Sequence, residues 1–320
     1  MKVLTVTLNP ALDRQIFIRN FQVNKLHRVA SPDHMVLSPG GKGVNVSIAL
    51  AKLGIPSIAT GFLGGYMGRI LIEELRKISN LITTNFVFIK DETRENIAII
   101  DEENHTITEI NSPGPSVEDK DLEHLYRRYS MSLSRVEAVV ISGSIPECLR
   151  SEVYVKLVRM AKEKGVPVFM ETRDRHIKVL YEEDSLPLVV KPDFRAEYQL
   201  LGREISKVDE FVEAGKELIK RGSELVVMSY QVDKDIIVTE NGAWLVRPKC
   251  EVDVSHVLGT GDTYVAGMVY KFLSGERDMF EIAKFGYVAA LSKTKKAKKE
   301  LPTLQEIEEF MDKFVVERVM

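Results

Sequence analysis

The chain has 320 residues, 44% of them hydrophobic, with 44 basic side chains against 47 acidic ones and a formal net charge of −3. That balance argues against wholesale nucleic-acid binding and reads the basic run 293–299 as a solvated helix face. No apolar stretch reaches the roughly 18 residues of a membrane span, residues 1–8 are too short and alternating for a signal peptide, and Cys148 and Cys250 belong to no CxxC pair. A soluble cytoplasmic protein is expected, with no disulfide scaffold, no structural zinc, and length for one large α/β domain with an appendage or for two domains.

Residues 3–8 read as a first buried strand, ended by the turn-forming Asn9-Pro10. From 13 to 37 the chain alternates β-prone pieces (15–18, 27–30, 34–37) with polar turns. A comparable excursion over 86–110 has strands at 96–101 and 106–110, and the two together predict a small sheet over one end of the core. Between them, Gly40-Gly41-Lys42-Gly43 opens an amphipathic helix that stops at Gly54, followed by a strand at 58–62 and a helix at 68–77. Beyond 115, helices at 117–133 and 151–164 alternate with apolar runs at 138–142, 167–171, 188–191 and 225–229 that suit buried parallel strands. The expected fold class is α/β, a doubly wound, mainly parallel sheet with helices on both faces. Asn241-Gly242 marks a hairpin between 236–239 and 243–247, and the chain is expected to finish in helices, one capped at Thr303.

The stretch most suited to chemistry is Gly259-Thr260-Gly261-Asp262, ahead of an apolar helix expected to end near Gly275. Two glycines around a small residue let the backbone turn tightly and aim N–H groups at one spot, where the helix dipole adds to the attraction for a phosphoryl group. A carboxylate there repels phosphate, which makes sense if it accepts a proton from an attacking hydroxyl. In isolation, a helix N-cap is the plainer reading of Asp262. Gly40-Gly41-Lys42-Gly43 offers a second backbone surface for anions or polyols, with Asn45 able to hydrogen-bond hydroxyls; a tight strand-to-helix connection is the alternative. Neither the P-loop nor the dinucleotide-binding glycine pattern occurs.

With Thr7-Leu8-Asn9-Pro10-Ala11-Leu12-Asp13, Gly40-Gly41-Lys42-Gly43-Val44-Asn45-Val46 and Leu258-Gly259-Thr260-Gly261-Asp262-Thr263, the chain resembles PfkB-type (ribokinase-like) sugar kinases from end to end. Glu92-Thr93-Arg94-Glu95-Asn96, the stretch 108–115 and Ser142-Gly143-Ser144-Ile145-Pro146 resemble the branch of 1-phosphofructokinases and tagatose-6-phosphate kinases. The resemblance implies an α/β core over 1–10, 39–88 and 112–320, a β-sheet lid from 11–38 and 89–111, and a homodimer formed through the lids. It further implies ATP, Mg2+ and a monovalent cation, and the conversion of fructose 1-phosphate to fructose 1,6-bisphosphate. The alternatives are tagatose 6-phosphate as acceptor, or a sugar-phosphate-binding protein of this fold that has lost turnover.

By position, the resemblance makes Asp262 the base and the N–H groups of Gly259, Thr260 and Gly261 the anion hole. Asp13, Gly40, Gly41 and Asn45 are implied at the sugar. For the phosphate that the acceptor already carries, Arg94, Lys42, Arg28 and Lys25 are the candidate cations, with Ser142 as a further donor. Lys191, Asp193 and Ser229 are implied on the nucleotide side. Asp253 is implied at the monovalent cation, a solvated turn residue being the alternative.

Two stretches depart from the family pattern. Lys-Pro-Asn-x-x-Glu, which organises magnesium, is replaced by Lys191-Pro192-Asp193-Phe194-Arg195-Ala196-Glu197, so that Asp193, or Glu197 shifted by one residue, becomes the candidate metal ligand. Ser-x-Gly-x-x-Gly, which lets backbone approach the nucleotide, is replaced by Ser229-Tyr230-Gln231-Val232-Asp233-Lys234-Asp235. The larger residues reshape that side and leave weak ATP use or another phosphoryl donor open.

Overall fold

The computed structural model describes residues 2–194, 198–249, 252, 257–296 and 300–320. The chain starts with β1 (Val3–Thr7), leaves for β2 (Ala11–Phe17) and β3 (Met35–Gly40), and returns through α1 (Lys42–Lys52), β4 (Ser57–Gly64) and α2 (Gly65–Ile78). Short β5 (Ile82–Thr84) and β6 (Val87–Ile89) precede a second departure, β7 (Arg94–Asp101) and β8 (Thr106–Asn111). Helix and strand then alternate: α3 (Asp119–Leu133), β9 (Ala138–Ser142), α4 (Glu152–Glu163), β10 (Val168–Thr172), α5 (Asp174–Glu182) and β11 (Val189–Pro192). After β12 (Gln199–Leu200) and β13 (Arg203–Glu204) come α6 (Val208–Lys220), β14 (Leu225–Gln231), β15 (Lys234–Thr239), β16 (Gly242–Pro248), α7 (Thr260–Leu273), α8 (Met279–Lys293), α9 (Leu304–Glu308) and β17 (Phe314–Arg318).

The large sheet runs β17-β16-β15-β14-β11-β10-β9-β1-β4-β5, with β6 also on β4. From β14 to β5 all pairs are parallel, and β14 to β17 are antiparallel. Alternate side chains of each central strand enter different cores, because successive Cβ atoms point to opposite faces. Leu4, Val6, Val139 and Ile141 join Leu125, Leu157 and Phe211 of α3, α4 and α6. Val3, Ala138 and Val140 join Leu50, Met268 and Ile282 of α1, α7 and α8. Both faces are covered, which is why these strands are continuous apolar runs, each fully buried Leu or Val contributing about 1.5–3 kcal/mol.

A separate four-stranded sheet, β3-β2-β7-β8, has a parallel pair β2–β7 at its centre. Its register sets Asp13 opposite both Ser38 and Asn96, bringing these polar side chains to the end nearest the large sheet's strand tips.

Two expected elements differ. Residues 27–30 form no strand; a loop lies there, tied down by Asp101, whose carboxylate accepts from the N–H groups of Asn20 (3.1 Å) and Phe21 (2.8 Å). The chain also ends in a strand rather than helices, for β17 pairs with β16 from Pro248↔Phe314 to Trp244↔Arg318 and is largely exposed, an edge strand with too weak an apolar alternation to announce itself. Among the described residues no helix is long and apolar enough to cross a membrane.

Candidate active site

A cavity of ≈ 880 Å³ lies between the carboxyl ends of the parallel strands and the four-stranded sheet, where ligands of open α/β sheets are received. At one end stand Asp13, Asn96, Thr7, Asn9 and Arg94. Asn96 donates to Asp13 Oδ1 (3.0 Å). Thr7 Oγ1, Asn9 Oδ1, Asn96 Oδ1 and Arg94 Nε are buried without a hydrogen-bond partner among the described residues. Four such atoms in one place are unusual for a folded chain and suit a ligand rich in hydroxyls. Gly40 does not line the cavity; a Cβ there would stand 2.2 Å from Asp13 Oδ2, so its missing side chain gives the carboxylate its room.

Gly41, at φ +99°, is the N-cap of α1, and a Cβ would fall 2.8 Å from Thr7 Cγ2 and 3.0 Å from Pro10 Cα. This glycine turn seats the first helical turn at the cavity, with Asn45 on its wall. Asn45 Nδ2 donates to Asp262 Oδ2 at 2.8 Å, tying α1 to α7, so its amide serves the carboxylate as well as facing the cavity. Asp262 is buried, 6% exposed, at the third position of α7. It is not the N-cap: that is Gly259, held in the left-handed region at φ +83°.

The first N–H groups of a helix lack intrahelical acceptors. Of the three expected to hold an anion, that of Thr260 is committed, donating to Val257 O (3.1 Å), with its Oγ1 on the same oxygen (2.8 Å). Thr260 thereby closes the turn and leaves Gly259 and Gly261 to present their N–H groups, neither of which meets an acceptor among the described residues.

Several expected cations are placed otherwise. Arg94 lines the cavity but gives Nη1 to Ser112 O (3.2 Å) and Nη2 to Asn9 O (3.0 Å), pinning the small sheet to the core. Desolvation holds its guanidinium below the usual range, with Asp13 opposing and Arg173 adding to the effect. Lys42 Nζ lies 3.2 Å from Glu171 Oε2 and 3.6 Å from Asp193 Oδ2. Lys25 and Arg28 are exposed on the loop before β3 and do not line the cavity. Ser142 is fully buried and donates to Glu171 Oε2 (3.4 Å); the neighbour that reaches the cavity is Ser144.

Sequence reading missed Glu171, the centre of this charge cluster. It stands one residue before the end of β10, is 2% exposed, and also takes Lys191 Nζ at 3.1 Å. Burial pushes its carboxyl up, and Lys191 with Lys42 more than reverse that. Lys191 in turn is held above its ordinary value against desolvation, chiefly by Glu171. Asp235, deeper in the same wall, is left undercompensated: burial raises it to about 6, with Lys191 and Ser229 opposing. A lone Glu at the carboxyl end of a buried strand was the signal available for Glu171. Arg173 and Lys293 were missed too. Lys293 belonged to the run read as a solvated face, yet it is fully buried on the cavity wall, its ammonium pushed down to about 8 by burial.

Glu171 and Asp193 are hard oxygen donors within reach of one lysine, and both face the cavity. This fits magnesium, which is held by one or two carboxylates together with water and substrate phosphate. Glu197 and Asp253 lie outside the described residues. On the nucleotide side, Ser229 lines the cavity and β14 continues to Gln231 with a bulge before a two-residue turn, Val232-Asp233, into β15. Without its glycines the expected loop is a tight hairpin.

The pfkB family carbohydrate kinase profile matches residues 7–304. A possible 1-phosphofructokinase from Thermotoga maritima is 54% identical, with 100% of both chains covered and a TM-score of 0.96. Phosphofructokinase-2 from Escherichia coli is more distant. Its complex with potassium is 23% identical, covering 97% of this chain and 98% of that one at a TM-score of 0.85. Its complex with fructose-6-phosphate is 22% identical over the same shares at a TM-score of 0.82. At that distance the likeness concerns the fold alone. The matched span includes the whole cavity wall, and the chain belongs to the pfkB family of carbohydrate kinases, phosphotransferases with an alcohol group as acceptor.

Proposed function

We propose that the protein transfers the γ-phosphoryl group of ATP to the free primary hydroxyl of a ketohexose phosphate, converting fructose 1-phosphate to fructose 1,6-bisphosphate. The observation that carries this reading is Asp262, held by Asn45 at the first turn of α7 in the cavity that also contains Asp13 and the unpartnered atoms of Thr7, Asn9, Asn96 and Arg94. The 54% identity to a possible 1-phosphofructokinase supports the acceptor class.

Asp13 and its neighbours orient the sugar hydroxyls, while Arg94 and Arg173 compensate the phosphate already present. Asp262 takes the acceptor's proton as the new O–P bond forms and the bond to the departing nucleoside diphosphate breaks. The N–H groups of Gly259 and Gly261, with the dipole of α7, stabilise the charge that develops on the transferring group. Glu171 and Asp193 would hold magnesium, which when bound would neutralise charge on the donor's phosphates. The four-stranded sheet acts as a lid that excludes water, and exposed Val23 (80%) and Leu26 (78%) support a homodimer formed through the lids.

The deciding experiment measures nucleoside diphosphate release over a panel of fructose 1-phosphate, fructose 6-phosphate and tagatose 6-phosphate, with nucleotide binding by calorimetry with and without magnesium. The expected result is a kcat/KM highest for fructose 1-phosphate by about tenfold or more, some 1.4 kcal/mol in the barrier. Sugar-phosphate binding without nucleotide affinity would remove the kinase reading, and a preference for tagatose 6-phosphate would reassign the acceptor.

A further inference from the structure

Lys293 closes α8 with a side chain that is 0% exposed. An ammonium is costly to bury unless its surroundings replace water. Here Nζ donates to the backbone oxygen of Lys296 (3.1 Å), in the turn that follows the helix. Its Cε lies 4.0 Å from the point where a Cβ on Gly259 would stand. Gly259 is the left-handed cap from which the anion loop springs. Lys293 thus places a positive charge, anchored to main-chain oxygen, directly behind the loop used for phosphoryl transfer, and Glu300 is the acidic group whose field favours the charge.

A free monovalent cation does not fit beside this group, because a second unit charge next to a buried ammonium is repelled. We infer that Lys293 is a tethered monovalent cation that positions the anion loop, so that the protein works without added potassium. Lys293 is a positioning residue, acting through Gly259 and touching no substrate. The inference rests on the kinase reading for its turnover arm only.

The test compares potassium chloride with tetramethylammonium chloride at equal ionic strength, for the wild type, Lys293→Met and Lys293→Ala, reading kcat and the thermal midpoint. Wild type should change by less than about twofold in kcat and keep its midpoint, since its cation is covalent. Lys293→Met, of similar length but without the charge, should stay folded and lose about tenfold or more in kcat in both salts, the order expected when a charged group is removed from behind an anion site. Lys293→Ala opens room for an ion, so potassium should raise both its turnover and its midpoint while tetramethylammonium should not, as ligand binding to the folded state requires. The midpoint of Lys293→Ala reads ion binding even if the wild type turns over no sugar phosphate, which separates failure of this inference from failure of the kinase reading. Activation of the wild type by potassium of about tenfold, Lys293→Met turning over like wild type, or a Lys293→Ala midpoint indifferent to potassium would each overturn it. Should Lys293→Ala not fold, the wild-type and Lys293→Met results decide.

Discussion

Asp262→Asn separates chemistry from architecture, because the two side chains have nearly the same shape. The amide can still present an oxygen to Asn45 Nδ2, so the 2.8 Å contact that joins α1 to α7 survives as a neutral hydrogen bond. What is lost structurally is a carboxylate near the start of α7, worth about 0.3–1 kcal/mol to the helix dipole, and part of one charge-assisted hydrogen bond. A total of about 1 kcal/mol shifts the thermal midpoint of a chain this size by about 2–4 °C or less. Loss of a general base costs about 10²- to 10⁴-fold in rate, or roughly 2.7–5.4 kcal/mol in the barrier. The assay pairs nucleoside diphosphate release at saturating fructose 1-phosphate with calorimetric affinity for that sugar phosphate. Affinity should hold within about threefold, since Asp13 and Arg94 are untouched, while kcat falls by the base's contribution. Residual kcat within about tenfold of wild type refutes Asp262 as the base.

Gly40→Ala sets a methyl 2.2 Å from Asp13 Oδ2 and must displace the carboxylate from its 3.0 Å bond with Asn96. Overpacking of this kind costs about 1–3 kcal/mol, and the acceptor's KM should rise about tenfold or more with the fold intact; an unchanged KM sinks Asp13 as an acceptor ligand. His176 tests the α4–α5 junction. Arg175 Nε donates to His176 Nε2 (3.2 Å), which leaves Nδ1 to carry the proton toward Ser151 Oγ (2.7 Å). Burial, with Arg175 and Arg173 adding, pushes the imidazole down to about 4 from 6.5. A base depressed in the folded state binds fewer protons there than when unfolded, so its contribution is complete at pH 7 and is lost as pH falls through the window from about 6.5 to 4, on the order of 3 kcal/mol. Urea midpoints at acid and neutral pH should therefore diverge more for wild type than for His176→Asn, and equal divergence removes His176 as the cause.

The legible parts of the molecule were those whose cause is local. The strand 138–142 was expected and found at the same bounds because four consecutive buried apolar residues closed by a buried serine leave little else for a doubly wound chain to do. Gly41 and Gly259 announced tight turns, and both occupy positive φ. The glycines around Thr260 marked a helix start, though not that Thr260 would spend its own N–H on Val257. Edge strand β17 escaped notice because pairing on one side with little burial imposes no strong period of two.

Charge partnerships were the illegible part. Lys42 looked like a phosphate cation and Glu171 like the end of a strand, yet the parallel register that sets β10 beside β11 delivers Lys191 to Glu171, and α1 delivers Lys42 from across the sheet. Lys293 read as solvated from its basic neighbours, and only the packing of α8 against α7 buried it behind Gly259. By itself the sequence determined the alternation of elements, the two glycine turns and the placing of Asp262 near a helix start, because backbone sterics and apolar periodicity act over a few residues. The tertiary structure alone decided which charges meet and which stay wet. Coulomb interaction and desolvation depend on distances through space that the order of residues does not specify.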